Sequence, residues 1–176
     1  MTDSASTEEE ETCTEVVLSN GDKANAELKK HIYYSIAAGF IPAPLLDIAA
    51  IAGIQLKMIH TLTKIYDIPF SENIGKSAIG SLIGGIGTPI IARSGIASLV
   101  KSIPVIGGLV GAVVQPTIAG AATYAVGKVF ISHFETGGTL LDFNPEKLNE
   151  HFKNLYAEGH AEVKGTVDEV KKEKDA

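Results

Sequence analysis

Gly75-Lys76-Ser77 has the residue types that close a nucleotide-binding P-loop. That cradle needs a second glycine five residues earlier, for the tight turn around phosphate, and a strand to anchor it. Phe70 occupies that position and Pro69 ends a helical pattern, so both requirements fail. Lys76 reads instead as a basic residue on the aqueous side of an apolar helix. His31, His60, His133, His151 and His160 show no metal-ligand spacing, and the single Cys13 lies in an acidic N-terminal stretch. Neither a zinc site nor an internal disulfide is therefore expected. Ser81, Ser94, Ser98 and Ser102 stand among apolar residues without a nucleophile elbow, where hydrogen bonding between helices is the ordinary role. With no nucleophile, base and orienter to assemble, the chain is expected not to be an enzyme and to need no cofactor.

Polar side chains set in apolar sequence offer a different chemistry. Asp47 and Arg93 are the most deeply placed charges, and Gln115 interrupts the longest uncharged run. At membrane depth such groups need a partner, a cavity or an interface, so Asp47 and Arg93 either pair or line a polar path. Alternatively, Asp47 caps the turn after Pro44 and Arg93 sits at a helix end. Gly80 with Gly84, and Gly107 with Gly111, form G-x-x-x-G pairs that let two helix backbones approach closely, within one hairpin or between subunits.

The elements that carry these residues are helical. From Ile32 to Leu56 the only charge is Asp47, a length sufficient to cross about 30 Å of hydrocarbon, but Pro42 and Pro44 predict a bend near Phe40. Leu45, Ile48, Ala49, Ala52, Leu56, Ile59 and Leu62 then recur at helical spacing until Pro69. Ser71 is a candidate cap for the next helix. No charge lies between Lys76 and Arg93, and residues 102–127 are uncharged throughout. Asn144-Pro145 starts a last helix, whose stripe Leu148, Phe152 and Leu155 is expected to end at Gly159. No strand alternation or internal repeat is present, so the fold class is all-α: an N-terminal proline-bent helix, a Gly/Ala-rich transmembrane hairpin and a C-terminal amphipathic helix.

Charge divides the chain. Residues 1–22 hold seven acids and no Lys or Arg, whereas the rest is close to neutral, so the net charge of −6 belongs to the N-terminal end. That composition predicts a disordered acidic tail over 1–22, a helical membrane domain over 23–158 and a charged tail over 159–176. The acidic tail lacks the basic and apolar regions of a secretory signal. A neutral body without a basic stripe argues against nucleic acid. In one arrangement residues 32–56 give the first of three spans. In the other, favoured here, 32–66 is a re-entrant hairpin followed by spans at 77–99 and 103–127, which places Lys23, Lys29, Lys30, Lys57, Lys64, Lys76 and Lys128 on one side.

Three segments carry a resemblance: GFIPAPLLDIAAIAGIQLKMIHTLTKIY (39–66), GKSAIGSLIGG (75–85) and AATYAVGKVFISHFETGGTLLDF (121–143). With Gly39, Pro42, Pro44 and Asp47, then Gln55 and Met58, then Thr123, Tyr124, Gly127 and Lys128, the chain resembles the YcjF-like family of bacterial membrane-associated domains of unknown function, often associated with GTPases. The resemblance implies an α-helical domain of the bacterial inner membrane and a GTPase acting in trans, while the one-sided lysines of the favoured arrangement put both tails in the cytoplasm. The expected function is a non-enzymatic integral membrane protein that contacts lipid and self-associates through its Gly/Ala-rich helices as a scaffold or pore. The alternative is a monomeric adaptor that recruits a GTPase or envelope-stress partner through Leu148, Phe152 and Leu155.

Overall fold

The computed structural model describes the backbone of residues 18–40, 44–93 and 107–174, and the side chains of 18–40, 49–84 and 115–169. Among these residues there are five helices and no strand: α1 (Asn20–Ala38), α2 (Pro44–Ile65), α3 (Glu72–Arg93), α4 (Gly107–Glu135) and α5 (Pro145–Lys174).

Local chemistry sets the boundaries. Ser19 caps α1: its Oγ accepts from the Asp22 amide at 3.1 Å, while the Asp22 carboxylate accepts from the Ser19 amide at 3.3 Å. This reciprocal box satisfies two amide groups that a helix start leaves unpaired. The last residues of the expected acidic tail, Asn20 to Asp22, are thus the first turn of α1. Pro44 opens α2, where its missing N–H is harmless. The expected bent helix is therefore two helices, since α1 ends at Ala38 before the prolines. Asn144 Oδ1 caps α5 by accepting from the Glu146 and Lys147 amides at 3.1 and 3.3 Å.

Helix α5 does not stop at Gly159; it continues to Lys174. A Cβ at Gly159 would come within 2.7 Å of the Tyr124 ring, so this glycine admits the aromatic side chain of α4. Beyond it, Val163 and Val167 are buried with Ile36 in a small cluster that α1 shares. Their apolar free energy, about 1.5–3 kcal/mol for each fully buried side chain, holds the charged C-terminal half of α5 to the bundle.

Helix α4 is the axis, packing chiefly on α5 and α1 and then on α2, while α3 packs mainly on α5 and α2. Neighbours run antiparallel: Gly39 abuts Pro116, Ser35 meets Thr123, and Lys128 reaches Asn25. The main core gathers Leu28, Met58, Leu62, Leu82, Phe130 and Phe152, with Phe143 stacked on Phe130 at 4.4 Å.

The described residues do not support the membrane hairpin. Among the described residues no helix is long and apolar enough to cross a membrane. From Ala119 to Gly127 the expected 103–127 span is enclosed by protein: Ala119, Ala121, Ala125 and Val126 are at most 3 % exposed. A helix apolar on every side belongs either in lipid or in the centre of a bundle, and the second half of α4 lies in the bundle.

Candidate functional site

Three helices bring polar groups together inside the core. Ser35 on α1, Gln55 on α2 and Thr123 on α4 are each 0 % exposed. The Ser35 and Thr123 hydroxyls share a hydrogen bond of 2.8 Å, and the Gln55 amide donates to Thr123 Oγ1 at 3.2 Å. Gln55 Oε1 is buried without a partner. One turn earlier on α1, His31 is 4 % exposed; its Nδ1 lies 2.8 Å from the Glu27 carbonyl and its Nε2 has no partner. Buried polar groups are costly unless satisfied, so this layer fixes the register of α1, α2 and α4.

A second constellation lies between α1, α4 and α5. The Tyr124 hydroxyl donates to Glu158 Oε1 at 2.5 Å, and Lys128 Nζ sits 5.7 Å from the Tyr124 ring centroid while donating to Asn25 Oδ1 at 2.8 Å. Burial pushes the Tyr124 hydroxyl well above the usual phenol range, with Glu158 and then Glu162 adding to the effect. It therefore remains a proton donor in ordinary buffers. Beside it a groove of about 200 Å³ is lined by Lys29, Tyr33, Glu162 and Thr166.

A third group organises the turn before α5. Asp142 Oδ1 accepts from the Thr139 amide and hydroxyl, both at 2.6 Å, and these bonds hold its carboxyl below the usual range. His133 Nε2 lies 2.9 Å from the Thr139 carbonyl oxygen. Gly137, with φ of +83°, provides the left-handed residue of this turn.

The residues singled out in the sequence are dispersed over this frame. Gly75, Lys76 and Ser77 lie in the first turns of α3, after a helix, and Lys76 pairs with Glu72 at 2.6 Å on the surface. Among the described residues no set of three or more His, Cys, Asp and Glu side chains could hold a metal. Gly80 and Gly84 are exposed, and a Cβ at either would meet nothing within 4 Å. Among the described residues they bring no helix close. The side chains of Asp47 and Arg93, and the surroundings of Gly107 and Gly111, lie outside the described residues. Gln115 is exposed on α4. Phe152 is 0 % exposed and belongs to the core, while Leu148 and Leu155, the other residues of the stripe expected to meet a partner, are half-buried against it.

The close approaches occur at other glycines. A Cβ at Gly39 would lie 2.7 Å from Pro116 Cα, one at Gly120 would strike Val163 and Ile36, and one at Gly127 would strike Leu28. Gly120 and Gly127 are seven residues apart with Thr123 between them, a heptad spacing that marks one helix face. That signal was present in the sequence, hidden among many other glycines. The polar layer had one too: Ser35 follows Ala24, Leu28 and His31 at helical spacing on a face that is otherwise core.

Comparison with known proteins places this architecture. A profile described as a domain of unknown function, DUF697, matches residues 7–160. Magnetosome membrane protein 22 of Magnetospirillum gryphiswaldense is 40 % identical over 134 residues, covering 76 % of this chain and 69 % of that protein. No solved structure matches the chain. With most of the helical bundle inside both alignments, the chain belongs to the DUF697 family of domains of unknown function.

Proposed function

We propose that this chain is a membrane-associated protein without catalytic activity that assembles with further copies of itself as a scaffold. The observation that carries the reading is its 40 % identity to a magnetosome membrane protein. The direction of the helices supports it. Because α1 to α4 alternate, the α1–α2 and α3–α4 connections leave from the same end of the bundle, where Gly39 abuts Pro116. The sequence of residues 102–127 is uncharged throughout, a composition that suits contact with lipid. Exposed Tyr33 and Tyr34, each 57 % accessible on the last turns of α1, have the amphipathic rings that favour the interfacial layer.

Self-association would use surfaces that the single chain leaves open, of which the Gly80–Gly84 face of α3 is one. A pore, in this reading, would form between copies. A GTPase acting in trans, which the family resemblance implies, would have to reach a surface other than Leu148, Phe152 and Leu155. Exposed acids elsewhere on α5 include Glu150, Asp168 and Glu169.

Membrane fractionation with carbonate extraction, followed by native mass determination in mild detergent, tests the reading. A carbonate-resistant oligomer is expected. A membrane-bound monomer would sink self-association and direct work to partner capture; recovery in the supernatant without lipid would overturn membrane association itself.

A further inference from the structure

The groove between α1, α4 and α5 has walls of opposite charge. Lys29 enters from α1 and Glu162 from α5, and the two do not pair with each other. Between them stand the hydroxyl of Thr166, the exposed ring of Tyr33 and an apolar wall from Val163. The Tyr124 hydroxyl already engages Glu158, and its ring is flanked by Gly159 and Lys128. This fixes the inner wall; Lys29, Tyr33 and Glu162, which also acts on the Tyr124 hydroxyl, line the groove that a ligand would enter.

We propose that this groove binds a small zwitterion carrying an ammonium and a phosphate, the chemistry of a phosphoethanolamine headgroup. Lys29 supplies a point charge for the phosphate, Glu162 accepts from the ammonium, and the Tyr33 face offers a cation–π contact. A free phosphate would meet Glu162, and a simple amine would meet Lys29; only a ligand with both charges matches both walls. The volume of about 200 Å³ admits such a headgroup but not its acyl chains, which would lie outside. The proposal rests on the membrane reading only in naming a lipid as one source of the headgroup; a free phosphoethanolamine compound is the other.

The full chain in a neutral maltoside detergent tests it. The sequence has no Trp and five Tyr, two of them in the groove, so tyrosine fluorescence reports on occupancy. The probes are glycerophosphoethanolamine, glycerol phosphate and ethanolamine. The zwitterion should saturate, with each half binding at least about ten-fold more weakly. Lys29→Ala should erase the advantage over ethanolamine, and Glu162→Gln the advantage over glycerol phosphate. Both positions are exposed, so the melting temperature should not change. Absence of saturable binding, equal response to all three probes, or variants that behave as the parent would each overturn the site.

Flotation with phosphatidylglycerol vesicles, with and without phosphatidylethanolamine, separates the sources. Flotation that requires phosphatidylethanolamine and is lost in both variants assigns the headgroup to lipid. Binding of the soluble zwitterion without flotation on either vesicle keeps the groove, assigns it a free ligand and removes the membrane reading. Flotation on both vesicles, unchanged in the variants and without soluble binding, removes the groove and leaves the membrane reading standing.

Discussion

Thr123 shows how one side chain can hold three helices. Its hydroxyl oxygen meets Ser35 from α1 and Gln55 from α2 in a layer closed to solvent. Removing one member leaves the others buried and unpaired, which is more costly than removing all three together. Thr123→Val should therefore lower the unfolding free energy by about 1–3 kcal/mol in denaturant titration. The triple change Ser35→Ala, Gln55→Leu and Thr123→Val should recover most of that loss, and failure to recover any would mean that the layer acts through shape alone. Tyr66 provides a second residue-level test. Burial, then the charge and hydrogen bond of Glu135, pushes its hydroxyl from 10.0 up to about 12. A raised phenol favours the protonated form in the folded state, so its contribution is complete below pH 10 and is lost as pH rises through about 12. The denaturation midpoint should fall across that window, and fall less in Tyr66→Phe. Equal losses in both proteins would assign the alkaline effect to other groups, with Tyr124 and Tyr156, both also raised by burial, as the next variants.

At the scale of helices, the sequence conveyed element type well and partners poorly. Period, Pro44, Pro69 and Asn144 marked the helices because caps and breakers act locally. What covers each helix is set by distant residues, and there the reading failed in an instructive direction. The run from Ala119 to Gly127 is uncharged for the same reason that a lipid-facing helix is, namely that every side is apolar, yet α1, α2 and α5 cover it. Gly159 has the residue type of a helix stop but serves the Tyr124 ring, and Phe152 has the pattern of a docking stripe but fills the core. These assignments separate experimentally. Gly39→Ala would force the Pro116 backbone to move and should destabilise by about 1–3 kcal/mol, whereas Gly80→Ala, facing open space, should stabilise the helix by about 0.5–1 kcal/mol. If Gly80→Ala instead destabilises in thermal melts and lowers the oligomer mass, α3 uses that face between copies. Phe152→Ala should cost about 3–5 kcal/mol as a core truncation. A variant with unchanged melting but lost partner capture would restore the docking role.

The whole molecule joins a bundle with an apolar described core to a stretch, residues 102–114, that carries no charge in the sequence. The buried face of α4 is described from Pro116 onward, and Arg93 and Lys101 are the only charges in the sequence between Lys76 and Lys128. This asymmetry makes the two parts separable. An acidic residue introduced into residues 102–114 should disrupt lipid contact, since an aspartate at bilayer depth costs about 2.5–3.5 kcal/mol on insertion scales, without entering the described core. Val110→Asp together with Val113→Asp is therefore expected to shift the chain from the carbonate-resistant pellet to the supernatant while circular dichroism retains its helical content. Loss of helicity in the same variant would mean that this stretch belongs to the bundle. Continued membrane retention with helicity intact would move the lipid contact elsewhere, and Tyr33→Ala with Tyr34→Ala would then be the pair to examine, because their rings are the large apolar surfaces that α1 leaves exposed.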